Sequence, residues 1–557
     1  MGELHEPDAP SKLRRSASWL ITVLSCAGVW VALIAPDRLG QLTPAAFARV
    51  PLEGLVFVVL VLVLPPRAGR VTAMLGGVVL GLLTIVRMLD LGFYAAFDRP
   101  FHELYDATYL GSGFGVLSDS IGRTGAIMAA LAAGLVCLGL LTLLPLALLR
   151  LTRLVAGHRT SSIRVVAALA VISTLSAVTG ARVVPDTAVA STSTADLVIA
   201  HAGQIRDDLG EQQAFENAVA DDRFRDTPGR DLLTGLRGKD VLLVFVESYG
   251  RVAVEGSAES APVASALEAG TRRLRAAGFS ARSAFLTSPT FGGLSWLAHS
   301  TLQSGVWVDN QQRYDDLVAG DRFTLSGAFA RAGWRTVDVV PSNTEDWPPG
   351  RTFYHYNRVY DSRNLGYEGP SFSYARMPDQ YTLAALRRLE LGSPQRAPVM
   401  AEIDLVSSHT PWAPLPRLVD WDAVGDGSVF DAMPAQGQSP DVVWRDAGQV
   451  QAAYGQSIVY SLDALTSFVQ TSADKNLVLV VLGDHQPATI VAGEGASHDV
   501  PISIIAADPA VMDRISGWGW QDGLRPAPDA PVWPMDGFRD RFLTAYGGSP
   551  VSPTAAR

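Results

Sequence analysis

A chain of 557 residues is too long for one domain. Its 48% hydrophobic content and mean hydropathy of +0.18 are high for a protein living wholly in water. The formal net charge of −10, with no run rich in Lys or Arg, argues against a nucleic-acid partner. Both cysteines, Cys26 and Cys137, fall inside apolar segments, so the polar remainder must fold on its core without disulfides.

The apolar residues crowd the first third of the chain. Five segments reach, or nearly reach, the roughly 20 residues a spanning helix needs: 18–36, 51–65, 71–93, 125–149 and 165–184. The second is short and contains Glu53. Lys12, Arg14 and Arg15 precede the first, but no small-residue cleavage site follows it, so a retained anchor is expected rather than a signal peptide. Basic residues gather before the first segment, between the second and third (Arg67, Arg70) and between the fourth and fifth (Arg150, Arg153, Arg159, Arg164). The positive-inside rule then predicts a multi-pass protein of the cell membrane with a cytoplasmic N-terminus and everything after residue 184 outside. Arg87 and Asp90, three apart near the end of the third segment, are costly in lipid; they are expected to position a lipid headgroup or the linker helices, or else simply to mark the helix end.

The expected division is a transmembrane domain over 1–184, juxtamembrane linker helices over 185–239 and an extracytoplasmic catalytic domain over 240–557. The linker is mostly polar, and 196–224 reads as one or two surface helices. From Asp240 strand-like runs (241–246, 279–286, 336–340, 399–406, 477–482, 502–506) alternate with helix-like ones (296–302, 324–332, 382–391, 449–469). That alternation predicts an α/β fold with a largely parallel sheet covered by helices on both faces. The Pro-, Gly- and Asp-rich stretch 410–446 has no period and reads as a lid or substrate loop.

Groups able to do chemistry collect where the strands end, which is where open α/β sheets place their sites. Val480-Val-Leu-Gly-Asp484-His485 is an apolar run closing on an adjacent carboxylate and imidazole, a pair that must be partnered or metal-bound if buried. The run from Asp240 ends likewise on Glu247, although an isolated Glu there would ordinarily be no more than the return of polarity. In Phe291-Gly-Gly-Leu-Ser295-Trp296 a hydroxyl opens a helix, a position that suits a simple cap or, next to a metal, a nucleophile. Thr290, and less plausibly Thr287, compete with Ser295 for that role. His409 and His498 flank strands at the same edge and are candidates for phosphate binding or leaving-group protonation; His299, four residues after Ser295, could be core or support. Trp347, Arg376, Asp379 and Trp412 lie in neighbouring irregular segments and are weaker substrate candidates.

These motifs and the spans before them resemble the membrane-anchored branch of the alkaline phosphatase/sulfatase-like superfamily, which includes lipoteichoic acid synthases and phosphoethanolamine and phosphoglycerol transferases. The resemblance covers nearly the whole chain and implies an alkaline-phosphatase-like catalytic domain with a single divalent ion (Mn, Mg or Zn) held by Glu247, Ser295, Asp484 and His485. It also implies His409 and His498 facing a phosphoryl group, a membrane phospholipid as donor, and a cell-envelope glycan or lipid as acceptor. The expected activity is transfer of a phospho-alcohol headgroup through a phospho-enzyme, with hydrolysis of phosphate or sulfate esters as the alternative. Two departures stand out: the familiar transferases use Thr where Ser295 stands, and no Cys/Ser-x-Pro-x-Arg motif is present to make a formylglycine.

Overall fold

The computed structural model describes residues 12–548 except 185, 186, 394 and 473. The opening of the polar linker at 185–186 and the end of the expected catalytic domain at 549–557 therefore lie outside the described residues. Contacts divide the chain into two units, Met1–Ala95 with Arg99–Asp208, and Ala96–Asp98 with Leu209–Arg557.

The first unit is helical: α1 (Lys12–Ile34), α2 (Leu52–Val63), α3 (Pro66–Phe97), α4 (Tyr109–Gly157) and α5 (Arg159–Thr179). Among the described residues, four helices are long and apolar enough to cross a membrane; α2 is a shorter apolar helix. Its 12 residues span only about 18 Å, against a hydrocarbon layer of about 30 Å. The five expected spans thus become four long helices and one short one. The fourth is also longer than its apolar stretch, because α4 begins at Tyr109 and bends at Gly122 (φ 77°). Helices α3 and α4 meet backbone to backbone: a Cβ on Gly77 would fall 2.3 Å from Pro145 Cα, the close approach that small residues permit between membrane helices.

Arg87 and Asp90 are both buried within this unit. Arg87 Nη1 donates to the Ala32 carbonyl at 2.6 Å, while Asp90 accepts from Phe101 N–H at 2.9 Å and lies 3.0 Å from His201 Nε2. His201 belongs to α6 (Ser193–Ala220), a single helix covering most of the expected linker. Asp90 therefore positions the linker helix.

The second unit is an α/β structure around a nine-stranded sheet. Its strands are β1 (Asp240–Val246), β2 (Ser280–Thr287), β3 (Arg335–Val340), β4 (Arg358–Asp361), β5 (Val399–Leu405), β6 (Leu477–Gly483), β7 (Asp499–Ala506), β8 (Gln521–Asp522) and β9 (Val532–Pro534). They lie in the order β8-β2-β7-β6-β1-β5-β3-β4, with β9 beside β2. The run β6-β1-β5-β3-β4 is parallel, whereas β7 is antiparallel to both β6 and β2. Central strands β1 and β6 are buried along their whole length, which is why they read as continuous apolar runs. Alternation still sorts their side chains. Leu242, Val244 and Val246 enter the core beneath α7 (Ser260–Ala276) and the long helix Ala447–Ser472. Val241, Leu243 and Phe245 face α8 (Ser295–Ser304), α10 (Leu325–Arg331) and the helix Gly537–Tyr546. Helix α9 (Gln311–Ala319) follows α8.

Candidate functional site

The parallel register brings the ends of β1 and β6 together, Val246 standing opposite Gly483. Each strand then delivers its carboxylate to the same edge. Gly483 is required there: a Cβ would sit 1.9 Å from the Tyr249 carbonyl oxygen. Beyond it Asp484 Oδ1 accepts from the N–H groups of Ser248 (2.7 Å) and His485 (2.8 Å), which locks the carboxylate and pins the turn after β1. Gly292 and Gly293 hold positive φ, and Leu294 is left-handed (φ 65°), so the chain turns sharply before α8 and presents Ser295 as its first residue.

Four side chains converge at this edge. Ser295 Oγ lies 3.1 Å from Glu247 Oε2 and 3.2 Å from His485 Nε2. His485 Nε2 lies 3.2 Å from Glu247 Oε1 and 3.4 Å from Asp484 Oδ2. An ion with bonds of about 2.1 Å sets its ligands about 3.0–3.5 Å apart, so these separations fit a divalent cation. Two further observations support that fit. Asp484 Oδ2 is buried with no hydrogen-bond partner among the described residues, and His485 Nδ1 is committed to the Gln486 carbonyl at 2.7 Å, leaving Nε2 toward the other donors. Without an ion the electrostatics are tense. Burial and the Glu247 charge push Asp484 up to about 6. Burial pushes Glu247 up, but its bond to His485, with the charges of His485 and His409 and the contact with Asp484, together hold it below its ordinary range. The charges of Asp484 and Glu247 overcome burial at His485 and raise it to about 9.

Thr290 is buried but bonds to Ser288, whose hydroxyl lies 3.5 Å from its own, while Thr287 Oγ1 donates to Asp499 Oδ1. The hydroxyl touching carboxylate and imidazole is that of Ser295. His409 Nδ1 bonds the Thr410 carbonyl (2.6 Å), and the ring stacks on Tyr374 at 3.6 Å. Burial lowers its pKa although Glu247 opposes the shift. His498 is half-buried beside Phe291, with its pKa lowered by burial.

The weaker candidates separate. Asp379 is fully buried, and its two oxygens accept from Ser407 N–H (2.9 Å) and Ser461 Oγ (2.5 Å), so it ties the segment before His409 to the core instead of lining a pocket. Trp412 is buried, with Nε1 donating to the Ser408 carbonyl at 2.7 Å, and braces the same loop. Trp347 donates to Tyr314 OH and packs near Tyr354 on the α8 side of the sheet. Arg376 is exposed.

Sequence reading overlooked a second His/carboxylate group. His299 Nδ1 lies 3.1 Å from Glu402 Oε1 and 3.6 Å from Asp404 Oδ1. The available signal was Glu402 and Asp404 themselves, two acids on one face of an otherwise apolar strand.

No family model matches the chain, and no curated protein matches it. Solved structures similar to it include the Listeria monocytogenes lipoteichoic acid synthase LtaP (12% identity, covering 57% of this chain and 74% of that one, TM-score 0.37). The periplasmic domain of Escherichia coli EptC is similar at 14% identity, 56% and 82% coverage and TM-score 0.36. The Streptococcus pyogenes phosphoglycerol transferase GacH, solved with sn-glycerol-1-phosphate, shows 11% identity, 60% and 89% coverage and TM-score 0.35.

Proposed function

We propose that the chain is a membrane-anchored, metal-dependent enzyme of the alkaline phosphatase/sulfatase-like kind that transfers a phospho-alcohol headgroup from a membrane phospholipid to a cell-envelope acceptor. The observation that carries this reading is the Ser295 hydroxyl, set 3.1–3.2 Å from Glu247 and His485 at the first residue of a helix. A divalent ion held by Glu247, Ser295, Asp484 and His485 would supply Lewis-acid polarisation and a lowered hydroxyl pKa. Ser295 Oγ, its proton passing to solvent, attacks the phosphodiester phosphorus; the new Oγ–P bond forms as the bond to the diacylglycerol oxygen breaks, and that oxygen takes up a proton from solvent. The N-terminus of α8 would face the anionic phosphoryl group with its positive dipole end.

Burial favours the neutral rings of His409 and His498, and both would face the phosphoryl group or its leaving oxygen. His409, with Nδ1 already engaged, uses Nε2 to take the proton of the acceptor hydroxyl when the second step releases Ser295. Four long apolar helices support a donor drawn from the bilayer; an extracytoplasmic catalytic unit, with the N-terminus on the cytoplasmic side that the basic residues indicate, requires the segment of α2 to complete a fifth crossing.

The test is release of diacylglycerol from labelled phospholipids by the full-length protein in lipid nanodiscs, with mass-spectrometric trapping of the phosphorylated residue. A phospho-alcohol adduct on Ser295, the headgroup alcohol still esterified to its phosphorus, is expected. A label on Thr290 would move the nucleophile, and equal turnover of small soluble esters with no acceptor would make the protein a hydrolase. His409→Asn should slow turnover about 100-fold with metal content unchanged.

A further inference from the structure

We propose that His299, Glu402 and Asp404 form a second divalent-cation site, distinct from the Glu247 centre and reached along the same helix. It stands apart from the transfer reading, since it concerns the charge balance of the sheet and would hold whatever reaction Ser295 performs.

The position follows from register. Glu402 pairs with Leu243 and Asp404 with Phe245 across β1 and β5, and Asp338 on β3 stands opposite Glu402. The three carboxylates therefore project from the same face of the sheet as Leu243 and Phe245. His299 comes down onto that face from α8, one helical turn beyond Ser295. Its ring lies flat on Phe245, with centroids 3.7 Å apart and planes 12° from parallel.

The donor atoms are arranged as a cation would arrange them. The ligating atoms of His299, Glu402 and Asp404 all lie within 4.8 Å of one another. The two distances from His299 Nδ1, 3.1 and 3.6 Å, fall close to the about 3.0–3.5 Å expected between ligands of one ion. Each carboxylate keeps an oxygen for the purpose. Glu402 Oε2 is taken by Tyr356 OH (2.6 Å) and by Gln303 Nε2, which fixes the side chain and leaves Oε1 toward His299. Asp404 Oδ1 is buried with no hydrogen-bond partner among the described residues. One imidazole with two carboxylates is a donor set for Zn²⁺ or Mn²⁺.

Charge supplies an independent reason. Asp338 and Glu402 are 3% and 4% exposed, and Asp404 is mostly buried. A lone imidazolium leaves two of the three carboxylates uncompensated, and buried charge without compensation is costly. A divalent ion removes that conflict.

The experiment is ion stoichiometry on the full-length protein in detergent, loaded with Zn²⁺ or Mn²⁺, desalted and measured by elemental analysis. For Mn²⁺ it is joined by electron paramagnetic resonance. Two ions per chain are expected. Glu247→Gln and Asp404→Asn should each lower the count to one, and the double variant should approach zero. The Mn²⁺ spectrum of the unaltered protein should broaden as the second ion binds, a readout independent of whether any variant folds. A count of one, lost in Glu247→Gln and untouched in Asp404→Asn, with no broadening, would overturn the proposal and make His299 an ion-paired positioning residue for α8. Transfer activity enters neither outcome, so failure here is distinguishable from failure of the Ser295 reading.

Discussion

Two turns of helix α8 meet the sheet through two His/carboxylate groups, and they differ in what surrounds their outer atoms. At the first turn Asp484 Oδ1 is held by two backbone N–H groups and His485 Nδ1 by a carbonyl, so the rim is made by backbone at strand ends and opens onto the hydroxyl of Ser295. At the second turn Glu402 is held by Tyr356 and Gln303 and His299 by the face of Phe245, so the rim is made by side chains deep against the sheet. On the two proposals, similar ligand types would serve opposite ends: one group would present a reactive oxygen, while the other would balance charge behind it. What separates them is position along the strand, since only the carboxyl ends have loops able to admit substrate.

The sharpest way to break that contrast is a matched pair of isosteric changes. Glu247→Gln should cost at least about 1,000-fold in turnover, because it removes a proposed ligand and alters the partner of the Ser295 hydroxyl. Glu402→Gln should act on turnover far less, through the placement of α8. Equal losses measured side by side would abolish the distinction.

A smaller effect concerns pH. In the ion-free centre His485 is raised to about 9 and Asp484 to about 6. Metal binding must displace the imidazole proton between those values, and a second proton, from Asp484, below about 6. Affinity should therefore rise about tenfold per pH unit from 6 to 9, fall more steeply below 6 and level off above 9. Calorimetric titration at several pH values tests this, and a flat profile would show that Nε2 of His485 does not bind the ion.

The smallest effect sharpens the inner rim. Tyr356→Phe removes one donor to Glu402 Oε2 and leaves Gln303 in place. It should destabilise the fold by about 1 kcal/mol without altering ion binding at Glu247, as thermal unfolding and elemental analysis would report.

The edge where Glu247, Ser295, Asp484 and His485 converge was legible because apolar runs ending in Glu247 and Asp484-His485 mark the strand ends in one dimension, and the glycines before Ser295 mark a turn. The pair Glu402 and Asp404 was harder to read, since a strand with two acids looks like weakened strand pattern until a partner is known. Asp379 misled for the opposite reason. An acid in an irregular segment suggests a pocket, whereas its oxygens are consumed by Ser407 and Ser461, which lie 28 and 82 residues away. Strands β4, β8 and β9, two to four residues long, carry too little sequence to show a period. The span count turned on α2, where composition indicated an apolar segment and only the observed helix revealed its length of 12 residues.

Sequence alone determined the order of the parts: apolar helices first, a polar linker, then alternating strands and helices with ionisable groups at the strand ends. Those features depend on local composition and period, which neighbouring residues carry by themselves. Tertiary structure decided which ionisable groups meet. Glu247 and Asp484 are 237 residues apart in the chain, and His299 reaches Glu402 across another hundred. Only the parallel register of β6, β1 and β5, and the descent of α8 onto one face of the sheet, bring them within a few ångströms.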